Sequence, residues 1–161
     1  MGAQELSTQL WRERELLDLL VFKLEEEQLL LTSGKTRWLS FATREVEQVL
    51  ERLKDAGLER TLGVARLAAE WRLPENATLR EIIESAPSDA WRQTFSGHLQ
   101  ALTDLTTQIA ALRDSNVQFL RAAARSTQET LATLDPDAGT YTASGSTAAS
   151  PATARLFESD L

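Results

Sequence analysis

The sequence predicts an all-α protein, an antiparallel helical bundle or coiled coil of three long helices with short intervening helices and a flexible C-terminal tail. Three observations carry that prediction. Apolar residues recur at steps of three and four through most of the first 134 positions, the spacing that puts them on one face of a helix. The breaks fall at Thr32-Ser33-Gly34, Pro74 and Pro87, where helix-ending residues cluster. From Asp135 the periodicity stops, Ala, Ser and Thr fill about half of the remaining positions, and Pro136, Gly139, Gly145 and Pro151 punctuate them. The expected organisation is a helical bundle domain over 1–134 followed by a tail over 135–161.

The first helix is expected over Gln4 to Leu31. Leu6, Leu10, Leu17, Leu20, Leu24 and Leu31 lie on one heptad track, interrupted by Glu13 and Glu27. Thr32-Ser33-Gly34 ends it, with Gly34 free to take the left-handed conformation favoured at a helix C-terminus. A second helix over Lys35 to Ala56 follows from Leu39, Ala42, Val46, Val49, Leu53 and Ala56, with Gly57 as its stop. The short link makes it an antiparallel neighbour of the first.

Between Leu58 and Ala86 the pattern shortens. Leu58, Leu62, Ala65 and Ala69 support two or three turns before Pro74, and a second piece restarts at Thr78, which forms a capping box with Glu81 and carries Leu79, Ile82 and Ile83 on its apolar face. Pro87-Ser88 then introduces the third long helix, with Ser88 as N-cap. Its inward positions are Trp91, Phe95, His98, Leu102, Leu105, Ile109, Leu112, Asn116, Phe119 and Ala123, followed by the weaker Ser126 and Thr130. Unbroken from Asp89 to Leu134 it would run about 69 Å at 1.5 Å per residue, so its distal part is expected to overhang the hairpin. The four tryptophans, Trp11, Trp38, Trp71 and Trp91, are expected to pack in the core or at segment boundaries.

Composition narrows the function. The net charge of -7 disfavours phosphate-backbone binding, which needs clustered Lys and Arg, so nucleic acid is not an expected partner. The most apolar run, Leu16 to Leu31, contains Asp18, Lys23 and Glu25-Glu26-Glu27 and is not expected to insert into a membrane. Met1 to Leu10 lacks a signal pattern, so the protein is expected to stay in the cytoplasm. With no cysteine and one histidine, His98, no transition-metal shell or cysteine nucleophile is available. Glu25-Glu26-Glu27 reads as a solvated acidic face, because consecutive helical side chains diverge by about 100° and cannot converge on one ion. Neither enzyme activity nor a cofactor is expected. Asn116 allows two readings: it fixes register inside the bundle, or it marks where the seam passes from self-packing into a surface for a partner helix.

In order along the chain stand a leucine-rich first helix with Glu-rich turns over Leu16 to Leu31, then Thr78-Leu79-Arg80-Glu81-Ile82-Ile83 leading through Pro87 into the long helix. Asn116-Val117-Gln118-Phe119-Leu120 follows, and last Thr140-Tyr141-Thr142-Ala143-Ser144-Gly145. This succession resembles the FlgN-type flagellar export chaperones over about Leu16 to Gly145, with Thr142 standing where the family's tail usually has Asp. The resemblance implies a cytoplasmic chaperone of type III flagellar export that binds the C-terminal helical region of the hook-filament junction proteins FlgK and FlgL, prevents their premature assembly and delivers them to the export gate. It also implies a client-binding stripe of Phe119, Leu120, Ala123, Thr127, Leu131 and Leu134, with Asn116 setting register and Tyr141 contacting client or gate. The competing expectation is a homo-oligomeric coiled-coil scaffold without chaperone activity, built by self-pairing of the exposed seam of the third long helix.

Overall fold

Helix α1 spans Gly2–Thr32 in a computed structural model that describes residues 2–134. Ala3, Leu6, Leu10, Glu13, Leu17, Leu20, Leu24, Glu27 and Leu31 are all buried, an unbroken alternation of steps of three and four. The two glutamates therefore do not interrupt the inward track; they belong to it. At its end Gly34 has φ 71°, Gly34 N–H donates to the Leu31 carbonyl at 3.3 Å and Lys35 N–H to that of Leu30 at 3.0 Å. These are the paired bonds of a Schellman motif, and they satisfy carbonyls that the helix end would otherwise leave open.

A single 3-10 turn, Thr36–Trp38, leads into α2, Leu39–Glu70. The expected stop at Gly57 does not occur. Gly57 costs about 1 kcal/mol in propensity, but ending the helix there would forfeit the burial of Gly63, Val64, Leu67 and Ala68 farther along. Carrying the register of Ala42, Val49 and Ala56 through Gly57 also changes which side chains turn inward: Leu58 and Leu62 are exposed, against expectation. At Gly63 the two helices approach closely, since a Cβ there would meet the Gln9 side chain and lie 3.1 Å from Leu6 Cδ1. Ion pairs fix the antiparallel register, Arg66 with Glu5 at 3.1 Å, Arg12 with Glu59 at 3.7 Å and Lys23 with Glu45 at 2.7 Å.

The short helix α3, Leu79–Glu84, starts with the expected capping box: Thr78 Oγ1 accepts from Glu81 N–H, and the Glu81 carboxylate accepts from Thr78 N–H at 2.6 Å. Ile82 is fully buried, so this segment packs on the main core and does not swing free. Ser88 then caps α4, Asp89–Leu134, accepting from Trp91 N–H at 3.3 Å. Within the first unit of the chain, Met1–Ala123, the core joins Leu6, Leu10 and Leu17 of α1, Leu67 and Ala68 of α2, Ile82 of α3, and Phe95 and Leu102 of α4. A buried leucine of this kind contributes about 2 kcal/mol through removal of apolar surface from water. Bonds between α1 and α4 join residues 84 to 92 positions apart and climb both helices together, so these two run parallel.

The second unit is Ala124–Leu161. Its described residues, 124–134, are the last turns of α4, and all are exposed. Among the described residues there is no strand, and no helix is long and apolar enough to cross a membrane.

Candidate interaction surface

The inner seam of α4 contains two polar side chains. His98 is 2 % exposed and edge-on to Trp11, with ring centroids 5.3 Å apart. Arg14 can only donate, so its contact with Nδ1 at 3.4 Å assigns that nitrogen as acceptor and leaves Nε2–H to donate to Ser7 Oγ at 3.2 Å. Burial, and then the adjacent guanidinium, hold the imidazole below its ordinary pKa. This is a neutral, hydrogen-bonded core histidine. Trp11 is in mid-helix and half-exposed rather than at a boundary, with the Arg14 guanidinium 4.2 Å from its ring.

Asn116 is 3 % exposed and donates through Nδ2 to the Leu24 carbonyl at 2.9 Å and to Glu27 Oε2 at 3.4 Å. The other Glu27 oxygen accepts from Thr43 Oγ1 at 3.1 Å. Glu27 is thus buried and hydrogen-bonded to both neighbouring helices, not part of a solvated acidic face, because the heptad step after Leu24 turns it inward. Nothing in its residue type signals this; its position on the same track as Leu20, Leu24 and Leu31 does.

Immediately beyond Asn116 the seam opens. Phe119 and Leu120 are 40 % and 37 % exposed, and Val117 beside them is also exposed. Ala123 is half-buried. In the second unit Thr127 is exposed, as are Leu131 and Leu134. Thus Phe119, Leu120, Leu131 and Leu134 present apolar surface to solvent, whereas Asn116 is committed to α1. Tyr141 lies outside the described residues, as does the proposed tail.

Among the described residues no group of three His, Asp or Glu side chains is placed to hold a metal ion. A groove between α2, the 75–79 connection and α4 is lined by Val64, Leu102, Thr103, Thr106, Arg60 and Glu75, which together supply one carboxylate and no acid–base pair.

A protein-family model also matches the chain. The model described as FlgN protein matches residues 1–149. No curated protein and no solved structure matches the chain.

Proposed function

Since the chain belongs to the FlgN family, the non-enzymatic, cytoplasmic flagellar export chaperones of hook-associated proteins, we propose that it binds the C-terminal helical region of FlgK or FlgL through the exposed apolar residues of α4. The observation that supports this most is the change of state along one helix face. Up to Asn116 the seam is buried or partly buried in the chain's own bundle, and Phe119 and Leu120 just beyond it are exposed. A continuous hydrophobic stripe that changes from self-packed to exposed offers an amphipathic helix the same kind of contact that the bundle makes internally.

Phe119 and Leu120 carry the proposed contact, with Ala123 following them in the first unit and Thr127, Leu131 and Leu134 on the turns of α4 in the second. Asn116 acts from behind by fixing the register of α4 on α1. Tyr141 is the proposed contact of the tail with client or export gate. Occupying the client's apolar face keeps it from assembling early. Ordering a disordered client segment offsets about 2 to 5 kcal/mol of the gross interaction, which leaves a complex that the export gate can take apart.

The test is titration of the full chain with a peptide spanning the C-terminal helical segment of the hook-associated client. Replacing Phe119→Asp together with Leu120→Asp is expected to abolish binding while helicity is retained, because both side chains are already in contact with water. A stable homodimer by light scattering that ignores the peptide would overturn the proposal and favour the scaffold alternative.

A further inference from the structure

Helix α2 has a second apolar track that neither the core nor the α4 surface uses. Ala56, Gly63, Val64, Leu67 and Ala68 turn inward, while Leu58, Leu62, Ala65 and Ala69, at steps of four, three and four, follow the opposite side of the helix. Leu58 is 59 % and Leu62 57 % exposed, Ala69 is exposed and Ala65 half-buried. Three residues before Leu58 stands Asp55, and three after Ala69 stands Arg72, both exposed. The track therefore has an acid at one end and a base at the other.

Such a track is complementary to its own reverse. When a second copy of α2 is laid antiparallel with Leu62 on Ala65, Leu58 falls on Ala69 and Asp55 on Arg72, and the two-fold symmetry repeats each pairing once. Large meets small in all four apolar layers, and opposite charges close both ends. The flanking heptad positions agree, since Glu59 then faces Arg66 of the second copy. Glu59 and Arg66 already pair within their own chain, with Arg12 at 3.7 Å and Glu5 at 3.1 Å, but both side chains remain well exposed and can meet a second charge. Other registers fail. A parallel pair sets Asp55 on Asp55 and Arg72 on Arg72, an antiparallel pair slid one heptad sets Glu59 on Glu59, and one slid the other way sets Leu62 on Arg72.

Arg72 adds a separate observation. It holds a left-handed φ of 57°, where glycine would carry no steric cost, and a strained residue of this kind has a reason when its side chain is needed at that position.

We propose that this face of α2 is the contact between two copies of the chain, an antiparallel two-fold α2–α2 pair in which Leu58 packs on Ala69, Leu62 on Ala65, and Asp55 and Glu59 meet Arg72 and Arg66. The occupant is thus a second copy, whose charges are those of the chain itself. From Asp55 to Arg72 the contact is about 25 Å long at 1.5 Å per residue, and one helix pair of that length buries on the order of 1,000 Å² in total, the low end for specific association. The dimer is accordingly weak, with a dissociation constant of about 10 to 100 μM. It uses none of the α4 residues assigned to the client and stands or falls apart from that reading.

The experiment is sedimentation velocity of the full chain from about 5 to about 300 μM at low salt, where a monomer–dimer equilibrium is expected. Leu58→Asp with Leu62→Asp is expected to leave a monomer throughout, with an unchanged far-ultraviolet dichroism spectrum because both side chains are already in water. Charge tests the arrangement. Asp55→Arg alone, or Arg72→Asp alone, sets like charges at both ends of the contact and is expected to weaken association about tenfold or more. An equimolar mixture of these two variants sets opposite charges at both ends and is expected to recover the parental affinity within about threefold. A chain that stays monomeric up to about 300 μM overturns the inference. So does a dimer that persists in the leucine variant; if that dimer is lost in Phe119→Asp with Leu120→Asp, the copies pair through α4 and the scaffold alternative is favoured. A mixture that associates no better than either charge variant alone overturns the antiparallel arrangement.

Discussion

Asn116 on α4 donates to the Glu27 carboxylate on α1 at 3.4 Å, and Glu27 in turn accepts from Thr43 on α2, so one buried carboxylate links all three long helices. Each partner is a donor, which is what an acceptor-only carboxylate requires when water is excluded. Asn116→Asp would replace a donor with a second carboxylate against the first. The expected loss is about 3 kcal/mol of unfolding free energy. Urea unfolding of the variant beside the parent protein measures it, and a loss below about 1 kcal/mol would mean that Glu27 and Asn116 are not coupled as described.

Two glycines within α2 are expected to respond in opposite directions. Nothing lies within 4 Å of a Cβ placed on Gly57, so Gly57→Ala removes backbone entropy from the unfolded chain without a clash and is expected to stabilise by about 0.5 to 1 kcal/mol. At Gly63 the α1–α2 approach brings the Gln9 and Leu6 side chains against any added carbon, and Gly63→Val is expected to cost about 2 kcal/mol or more. Thermal melts of the two variants decide the matter. Equal shifts would show that the helices are not held tightly at Gly63.

Much of the fold is legible in residue order because the signals are local. Thr78 with Glu81, Ser88 ahead of Trp91, and Gly34 after Thr32 each satisfy backbone groups within a few residues, and each forms as spacing predicts. The length of α2 is not legible in that way. Gly57 is a stop by propensity, and only the packing of Gly63 and Leu67 against α1, a long-range term, overrides it. The same limit applies to the candidate surface. Spacing places Phe119 and Leu120 on the seam, but their exposure depends on where the covering hairpin ends. Residue type alone sets Glu13 and Glu27 outside the core, whereas heptad position sets them within it.

The C-terminus of α2 carries a strained residue. Arg72 has φ 57°, with Arg72 N–H donating to the Ala69 carbonyl at 3.2 Å and Leu73 N–H to that of Ala68 at 2.8 Å, the bonds of a second Schellman motif. Glycine fills this left-handed position without steric penalty, whereas a Cβ there costs about 1 kcal/mol. Arg72→Gly is therefore expected to stabilise the fold by up to about 1 kcal/mol despite glycine's greater freedom when unfolded. Denaturant titration is the check, and a destabilised variant would show that the exposed arginine side chain contributes more than its backbone strain costs.

Stability should also depend on pH through two side chains of opposite sign. The folded pKa of His98 is lowered, chiefly by burial and then by Arg14, so between that value and the ordinary 6.5 the unfolded chain binds more protons than the folded one. Stability contributed by the neutral imidazole is therefore full above pH 6.5 and is lost as pH falls from there through the folded pKa, at no more than about 1.4 kcal/mol per pH unit. Glu13 works the other way. Burial raises its folded pKa above 4.5, more than Arg60, 3.5 Å from Oε2, lowers it, so its contribution is present at and below pH 4.5 and is lost as pH rises through the folded pKa. His98→Gln, which keeps a donor for Ser7 and removes the titration, should flatten the decline on acidification below pH 6.5, and Glu13→Gln should steepen it. Parallel urea titrations from neutral to mildly acid pH separate the two, and an unchanged slope in His98→Gln would rule out the histidine as its source.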